Sequence, residues 1–270
     1  MRSSNPKEIE HKRPRGAGQY RIQVLDRALR VLDVMSGSAS AMGPSELSRA
    51  LRFHKSTIHR VLKVLQDHHL VRRNSRGQYN LGFRLFELGS RSIERFPLPQ
   101  RAEPYLNQLM LDTGETAELC VLQNTQLISV ANAEAPWISR NVGHKVDLHA
   151  TAAGKAFLAC LPLTAQDALI GQLPLITHTK DTALCIRALK AELASIRRQG
   201  FSVNDQEVEE GVRGVAAPIF DGKGRVIASI GIVGPIFRIT STRVPEIARM
   251  VRAMATQLSA ELGWQAELAS

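Results

Sequence analysis

At 270 residues the chain is long for one compact domain and suits two. Hydrophobic residues make up 44% and charged residues 22%, so sizeable cores are available, while no apolar run reaches the ~18 residues that a membrane span needs. The net charge of +10 is unevenly held: residues 1–95 carry 19 Lys and Arg against 8 Asp and Glu, and residues 96–270 carry 16 against 17, the pattern of a basic nucleic-acid-binding part joined to a near-neutral partner domain.

Residues 1–21 are polar and basic, with Pro6, Pro14, Gly16 and Gly18 and no apolar stretch. They read as a flexible basic arm rather than a secretory signal, and the chain is expected to be cytoplasmic. The arm is either a solvated tail or a strand of phosphate and minor-groove contacts through Lys12, Arg13 and Arg15. A basic membrane surface would need Trp or Phe on the apolar side of a basic helix. Both tryptophans, Trp137 and Trp264, lie outside the basic third.

Val24 to Ser36 has helical spacing, with Leu25, Ala28, Leu29, Leu32 and Met35 as its expected inner face and Gly37 as its stop. Pro44 opens a short helix whose inner face is Leu47, Ala50 and Leu51. Arg52-Phe53-His54 is a turn, and Lys55 to about His68 is a third helix. At 100° per residue, Ile58, Val61, Leu62 and Leu65 share one face, while Ser56, His59, Arg60 and Lys63 share the opposite one. The polar face has no acid before Asp67. It suits phosphate and base-edge contacts, with Arg60 the best placed for bidentate pairing to guanine. Two short strands, Leu70–Arg73 and Gln78–Leu81, flank an Asn74-Ser75-Arg76-Gly77 turn. Arg72, Arg73 and Arg76 line this wing and are expected on backbone phosphates. Two helices, a turn and a basic hairpin together make a winged helix-turn-helix over residues 22–82. Lys55, Ser56, Thr57, His59, Arg60, Lys63, Arg72, Arg73 and Arg76 are its expected double-stranded DNA contacts.

Phe83 to about Phe96 continues as an amphipathic helix, with Phe83, Leu85, Phe86, Leu88 and Ile93 apolar, until Pro97-Leu98-Pro99 breaks it. Residues 83–98 are read as a linker helix, which packs either on its own domain or on a second copy. From 99 to 265 helices and strands alternate. The helices are Arg101–Asp112, Thr151–Leu161, Thr164–Leu173, Thr182–Gln199 and Val244–Leu262. The strands are Thr116–Leu122, Leu127–Asn132, Phe201–Val203, Val212–Phe220 and Val226–Val233. The last two strands join through Asp221-Gly222-Lys223-Gly224. The expected fold class is α+β, an antiparallel sheet flanked by helices.

Chemistry is sparse in the second part. Ala152-Ala153-Gly154-Lys155-Ala156 lacks the first glycine and the hydroxyl of a Walker A loop. Asp205, Glu207, Glu209 and Glu210 read as a solvated acidic loop rather than a metal cluster. Cys120, Cys160 and Cys185 are far apart and read as reduced, buried, small hydrophobes, with no zinc spacing. His149 either meets a ligand or makes a structural hydrogen bond. With no H-E-x-x-H and no G-x-S-x-G, no catalytic set, metal or cofactor is expected.

Several blocks resemble the IclR family of bacterial transcription regulators. They are Leu25-Asp26-Arg27-Ala28-Leu29, Lys55-Ser56-Thr57, Arg60-Val61-Leu62, Tyr79-Asn80-Leu81-Gly82, Leu148 to Ala156, Ile196 to Phe201, Gly211 to Asp221, and Gly234-Pro235. The resemblance spans about residues 22–262. It implies a winged helix-turn-helix joined to a GAF-like effector domain, a homodimer or tetramer on promoter DNA, and a small organic or aromatic acid as effector. It also implies an effector cup walled by Thr151, Ala152, Ala153, Asn204, Asp205, Gly214, Gly231 and Val233. Several relatives carry hydroxyls where this chain has Gly231 and Val233, which points to a roomier or more apolar cup. Backbone N–H groups at Ala152 and Ala153 remain available for a carboxylate. Effector binding is expected to alter how paired DNA-binding domains are placed, through the Phe83–Phe96 helix. A second domain that serves only assembly is the alternative.

Overall fold

The structure, a computed structural model, describes residues 22–38, 40–94, 97–139, 142–182 and 185–265. The basic arm with Lys12, Arg13 and Arg15, together with Phe96 and the Ile93 side chain, lies outside the described residues. The chain divides into two compact units, Met1–Phe96 and Pro97–Ser270.

The first unit holds α1 (Gln23–Ser36), α2 (Pro44–Leu51), α3 (Lys55–Asp67), β1 (Val71–Arg73), β2 (Tyr79–Leu81) and α4 (Phe83–Glu94). Val31, Met35, Leu47, Leu51, Ile58, Val61, Leu62 and Leu65 form its core. The expected inner face of α1 is displaced by part of a turn. Leu25 and Leu29 are 56% and 53% exposed, whereas Val31 is fully buried. Helical spacing admits both stripes, and packing against α2 and α3 selects the one through Val31. Ala50 of α2 is likewise exposed, leaving Leu47 and Leu51 to fill the core. The wing pairs Val71 with Leu81 and Arg73 with Tyr79. Its turn is closed by Asn74 Oδ1, which accepts from the backbone N–H of Arg76 and of Gln78, each at 3.0 Å.

The second unit holds α5 (Leu98–Thr113), β3 (Thr116–Gln123), β4 (Gln126–Ala133), β5 (Lys145–Val146), α6 (Ala152–Cys160), α7 (Leu163–Ile170), α8 (Ile186–Gln199), β6 (Ser202–Asp205), β7 (Val212–Phe220), β8 (Val226–Pro235) and α9 (Val244–Glu261). The strands form one antiparallel sheet in the order β5-β4-β3-β8-β7-β6. α5 and α9 cover one face over Leu106, Leu109, Ile219, Ile230 and Val251. α6 and α8 cover the other through Ala156, Phe157, Leu189 and Leu193. The molecule is thus a winged helix-turn-helix followed by an α+β, GAF-like domain. No described helix is long and apolar enough to cross a membrane.

Three boundaries differ from the sequence expectation. α5 begins at Leu98, because Pro97 at the N-cap and Pro99 in the first turn lie where a missing N–H costs nothing. Leu98 is buried in the second unit, so a linker reaching residue 98 overlaps the next helix. The short strand β5 lies between Asn132 and Thr151, where neither strand nor helix was expected. α8 starts at Ile186 rather than Thr182, whose hydroxyl instead donates to the Glu207 carbonyl at 2.6 Å.

α6 is set unusually close to the chain that precedes it. A Cβ on Gly154 would sit 2.5 Å from both Asp147 O and Leu148 Cα, contacts that only backbone movement relieves. Gly154→Ala is therefore expected to destabilise the second unit by about 2 kcal/mol, overpacking outweighing the better helix propensity of alanine. Urea unfolding followed by tryptophan fluorescence measures this, since Trp137 and Trp264 both report on that unit.

Candidate functional site

Helix α3 is capped by His54, whose Nδ1 accepts from the Ser56 backbone N–H at 3.3 Å and lies 2.8 Å from Ser56 Oγ. His54 thus supplies the N-cap oxygen's role with a ring nitrogen, a function that spacing did not reveal. Arg30 stacks 4.9 Å and Arg27 5.8 Å from the Phe53 ring, tying α1 to the turn. Lys55, Ser56, His59, Arg60 and Lys63 are exposed on α3, and Thr57 is half-buried. Arg72, Arg73 and Arg76 are exposed on the wing, Arg73 lying 5.9 Å from the Tyr79 ring. Lys63 Nζ is paired with Asp67 at 2.8 Å, one helical turn on. The Asp67 carboxylate raises the ammonium pKa, so Lys63 carries its full charge but shares it with an acid.

In the second unit a cavity of about 100 Å³ opens on the α6 face of the sheet. Two cross-strand rows lie beneath it. Asn204, Gly214, Val233 and Thr116 are neighbours on β6, β7, β8 and β3, and Ser202, Ala216, Gly231 and Glu118 form the next row. The start of α6 is one wall. Thr151 caps the helix by accepting from Gly154 N–H at 3.0 Å, and Ser202 Oγ donates to the Ala152 carbonyl at 2.5 Å. Among the described residues the N–H groups of Ala152 and Ala153 have no intramolecular acceptor, so the positive end of α6 is presented to the cavity.

Thr151, Ala152, Ala153, Asn204, Gly214, Gly231 and Val233 all line this cavity; Asp205 does not. Residues alternate along β6, so Asn204 takes the cup side while Asp205 turns away. Asp205 forms a bidentate pair with Arg213, with Nε–Oδ1 3.0 Å and Nη2–Oδ2 2.9 Å. The room expected at Gly231 is also absent. A Cβ there would lie 2.7 Å from Ala216 Cβ, so the neighbouring strand has already taken the space. The cup is smaller than the ~300 Å³ at the lower end for drug-sized ligands. Its polar lining includes Glu118, His144, Lys145 and Asp147, which the sequence patterns did not single out, and Glu209 of the acidic loop.

Behind the cup wall, Lys155 has no exposure to solvent. Its Nζ donates to Glu192 Oε1 at 2.6 Å and to Glu207 Oε1 at 2.5 Å. Glu207, expected on a solvated loop, is thus buried. Burial pushes its carboxyl pKa up, Lys155 pulls it down, and Glu192 adds a smaller upward push. The Glu207 N–H is accepted by Asn204 Oδ1 at 2.8 Å, so the ion pair and the cup wall share one segment.

Among the described residues no group of three or more His, Cys, Asp and Glu side chains is placed to hold a metal. His149 is buried and its Nε2 lies 3.0 Å from the Ile176 carbonyl, the structural alternative of the two expected for it. Cys120 is buried and burial raises its thiol pKa well above the usual range. Cys185, contrary to expectation, is exposed at the N-cap of α8, where the N–H groups of Ala188 and then Arg187 lower its pKa.

Residues 24–75 match the IclR helix-turn-helix domain and residues 90–260 match the bacterial transcriptional regulator IclR C-terminal domain. The chain is 33% identical to the transcriptional repressor IclR of Escherichia coli (strain K12), covering 90% of each chain. The crystal structure of the Thermotoga maritima IclR superposes with a TM-score of 0.74 at 29% identity, covering 90% of this chain and 100% of that one. An IclR homologue from Microbacterium hydrocarbonoxydans, crystallised in complex with 4-hydroxybenzoate, superposes with a TM-score of 0.78 at 25% identity, covering 88% of this chain and 98% of that one.

The buried cation makes a pH-dependent prediction. Glu207 holds its proton more tightly folded than unfolded, so its ionisation costs stability at neutral pH and the cost is relieved as pH falls toward the ordinary carboxylate range. Lys155→Met removes the charge that restrains this shift. It is expected to cost roughly 3–5 kcal/mol at pH 7.5 and distinctly less at pH 5, as measured by urea unfolding. An equal loss at both values would show that Lys155 does not neutralise Glu207.

Proposed function

Since the chain belongs to the IclR family of bacterial transcription regulators, we propose that it binds promoter DNA sequence-specifically, as a dimer or tetramer, under the control of a compact organic acid held in the α6 cup. The observation that supports this most is the cavity itself. It gathers the helix start, Asn204 and Gly214 around two N–H donors with no intramolecular acceptor among the described residues. That arrangement suits a carboxylate. The 4-hydroxybenzoate in the Microbacterium hydrocarbonoxydans homologue favours an acid no larger than a single ring, an aromatic acid being the kind of effector that Gly231 and Val233 lead one to expect.

On the DNA side, α3 enters the major groove with Arg60 reading bases, while the wing arginines hold phosphates. Exposed Phe83 and Phe86, at 76% and 69%, give α4 an apolar face suited to pairing with a second copy. Effector binding acts by changing how the paired reading helices are placed.

Two measurements test this reading. An acid that binds the folded cup must raise stability, by about 2.7 kcal/mol at 100 times its Kd. A thermal-shift screen of small acids should therefore yield at least one that both stabilises the chain and alters promoter affinity at fixed salt. Stabilisation by none would favour a second domain that serves assembly alone. For the reading helix, Arg60→Ala should cost roughly 1–3 kcal/mol on the specific site and relax base preference there, whereas Arg73→Ala should weaken all duplexes alike and lower the salt slope by about one. Fluorescence anisotropy on specific and scrambled duplexes separates the two, and identical behaviour would overturn the division of labour between helix and wing.

A further inference from the structure

One cationic cluster of the first unit belongs neither to the exposed face of α3 nor to the wing. Arg27 and Arg30 are three positions apart on α1, so their side chains leave the helix on one face. Both reach the ring of Phe53, with the Arg30 guanidinium carbon 4.9 Å and that of Arg27 5.8 Å from its centroid. The ring is itself held in place. The Phe53 N–H donates to the Ser48 carbonyl at 3.2 Å, and the Ser48 hydroxyl donates to the Phe53 carbonyl at 2.7 Å. Asp26 and Asp33 stand on the same helix, yet among the described residues neither arginine forms an ion pair or donates a hydrogen bond. Glu46, the acid of α2, is turned to the Gly43 N–H instead.

A guanidinium above a ring uses its flat face for the contact and keeps its in-plane N–H donors for an anion. One such contact is enough to tie α1 to the turn. Two on one ring, with no acid to balance them, repel each other. Like charges held on a fixed ring are what an anion site requires, because the long side chains are ordered before the anion arrives. The place of the cluster says which anion. Phe53 directly precedes His54, the cap of α3, and Lys55 is exposed at the first position of that helix. The positive end of the α3 dipole adds to the same field. A helix end that enters the major groove stands between phosphate backbones about 12 Å apart. Cations set beside that end, on a different helix, meet a backbone rather than a base edge. Resting on the reading of α3 as the groove helix, we propose that Arg27 and Arg30 form a second phosphate clamp. It takes a backbone phosphodiester of the duplex beside the start of α3, separate from the phosphates held by the wing. The contact carries no sequence information; it adds affinity and fixes the register of α3 in the groove.

The test measures binding of the full chain to a fluorescein-labelled random-sequence duplex by anisotropy over a series of salt concentrations. Arg30→Gln and Arg27→Gln should each lower the slope of log affinity against log salt by about one, and the two together by about two. Arg30→Lys keeps a charge without the planar fork and should retain the slope. Arg249→Gln, at an exposed position of α9 in the second unit, removes the same formal charge and should leave the slope as it is. Thermal unfolding of each variant reads the structural role separately. A mere tie between α1 and the turn would lower the unfolding midpoint and leave the salt slope of the folded protein unchanged, which would overturn the phosphate site. An equal loss of slope in Arg249→Gln would overturn it too, the effect then being one of net charge. Arg27→Gln carries the test should Arg30→Gln fail to fold. A parent chain that binds no duplex at low salt would overturn the DNA-binding reading and the site with it, an outcome distinct from binding with an unaltered slope.

Discussion

Lys155 is a cation with no route to water, and much of the second unit is arranged around that fact. A lone ammonium in such a place would be untenable. It is held by two carboxylates from separate parts of the chain, Glu192 on α8 and Glu207 in the segment between β6 and β7. Satisfying one charge therefore fastens α8 and the cup wall to α6. The same helix begins beside the cavity, is capped by Thr151, and is anchored by Ser202 to the neighbouring strand. Gly154 lets it sit against Asp147 and Leu148. The N–H groups of Ala152 and Ala153 are fixed in place because everything around them is fixed.

The first unit rests on a different balance. Its core is a small set of aliphatic side chains on α1, α2, α3 and the wing. Its surface is rich in arginine, lysine and histidine, with Lys63–Asp67 and Arg84–Glu87 ion pairs among the described residues. Such a surface gains most of its binding energy from phosphate and is strongly salt-dependent. The exposed side chains of α3 are positioned by the His54 cap and by a turn whose Phe53 ring lies against Arg30 of α1. Output and control are thus separated physically. One unit is built on charge and an exposed helix face, and the other on an enclosed cavity with balanced charge.

The parts of this protein that were legible in its sequence are those governed by nearest neighbours. The alternation of Ile58, Val61, Leu62 and Leu65 with Ser56, His59, Arg60 and Lys63 is a property of 100° spacing and needs no partner to be read. Gly37 ends α1 and Gly77 turns the wing at φ +78°, both local events. Family-specific blocks, made of contiguous runs, contain much of the cavity lining. Misreadings occurred where a decision depended on what lies across space. Leu25 and Val31 are equally apolar, and only packing chose between them. Pro97 and Pro99 look like a break, yet they begin a helix.

What the sequence determined by itself was the winged helix-turn-helix, the uneven charge, the family, and the small-residue helix start beside the cup. What only the tertiary structure decided was which side each strand residue faces and which charges meet. Strand register turned Asn204 into the cup and Asp205 onto Arg213, filled the space at Gly231 with Ala216, and set Glu118 beside it. Burial joined Lys155 to Glu207 across 52 positions of chain. Neither is encoded in spacing, because hydrogen-bond register and charge burial are settled between segments that are distant in sequence and adjacent only once the sheet has formed.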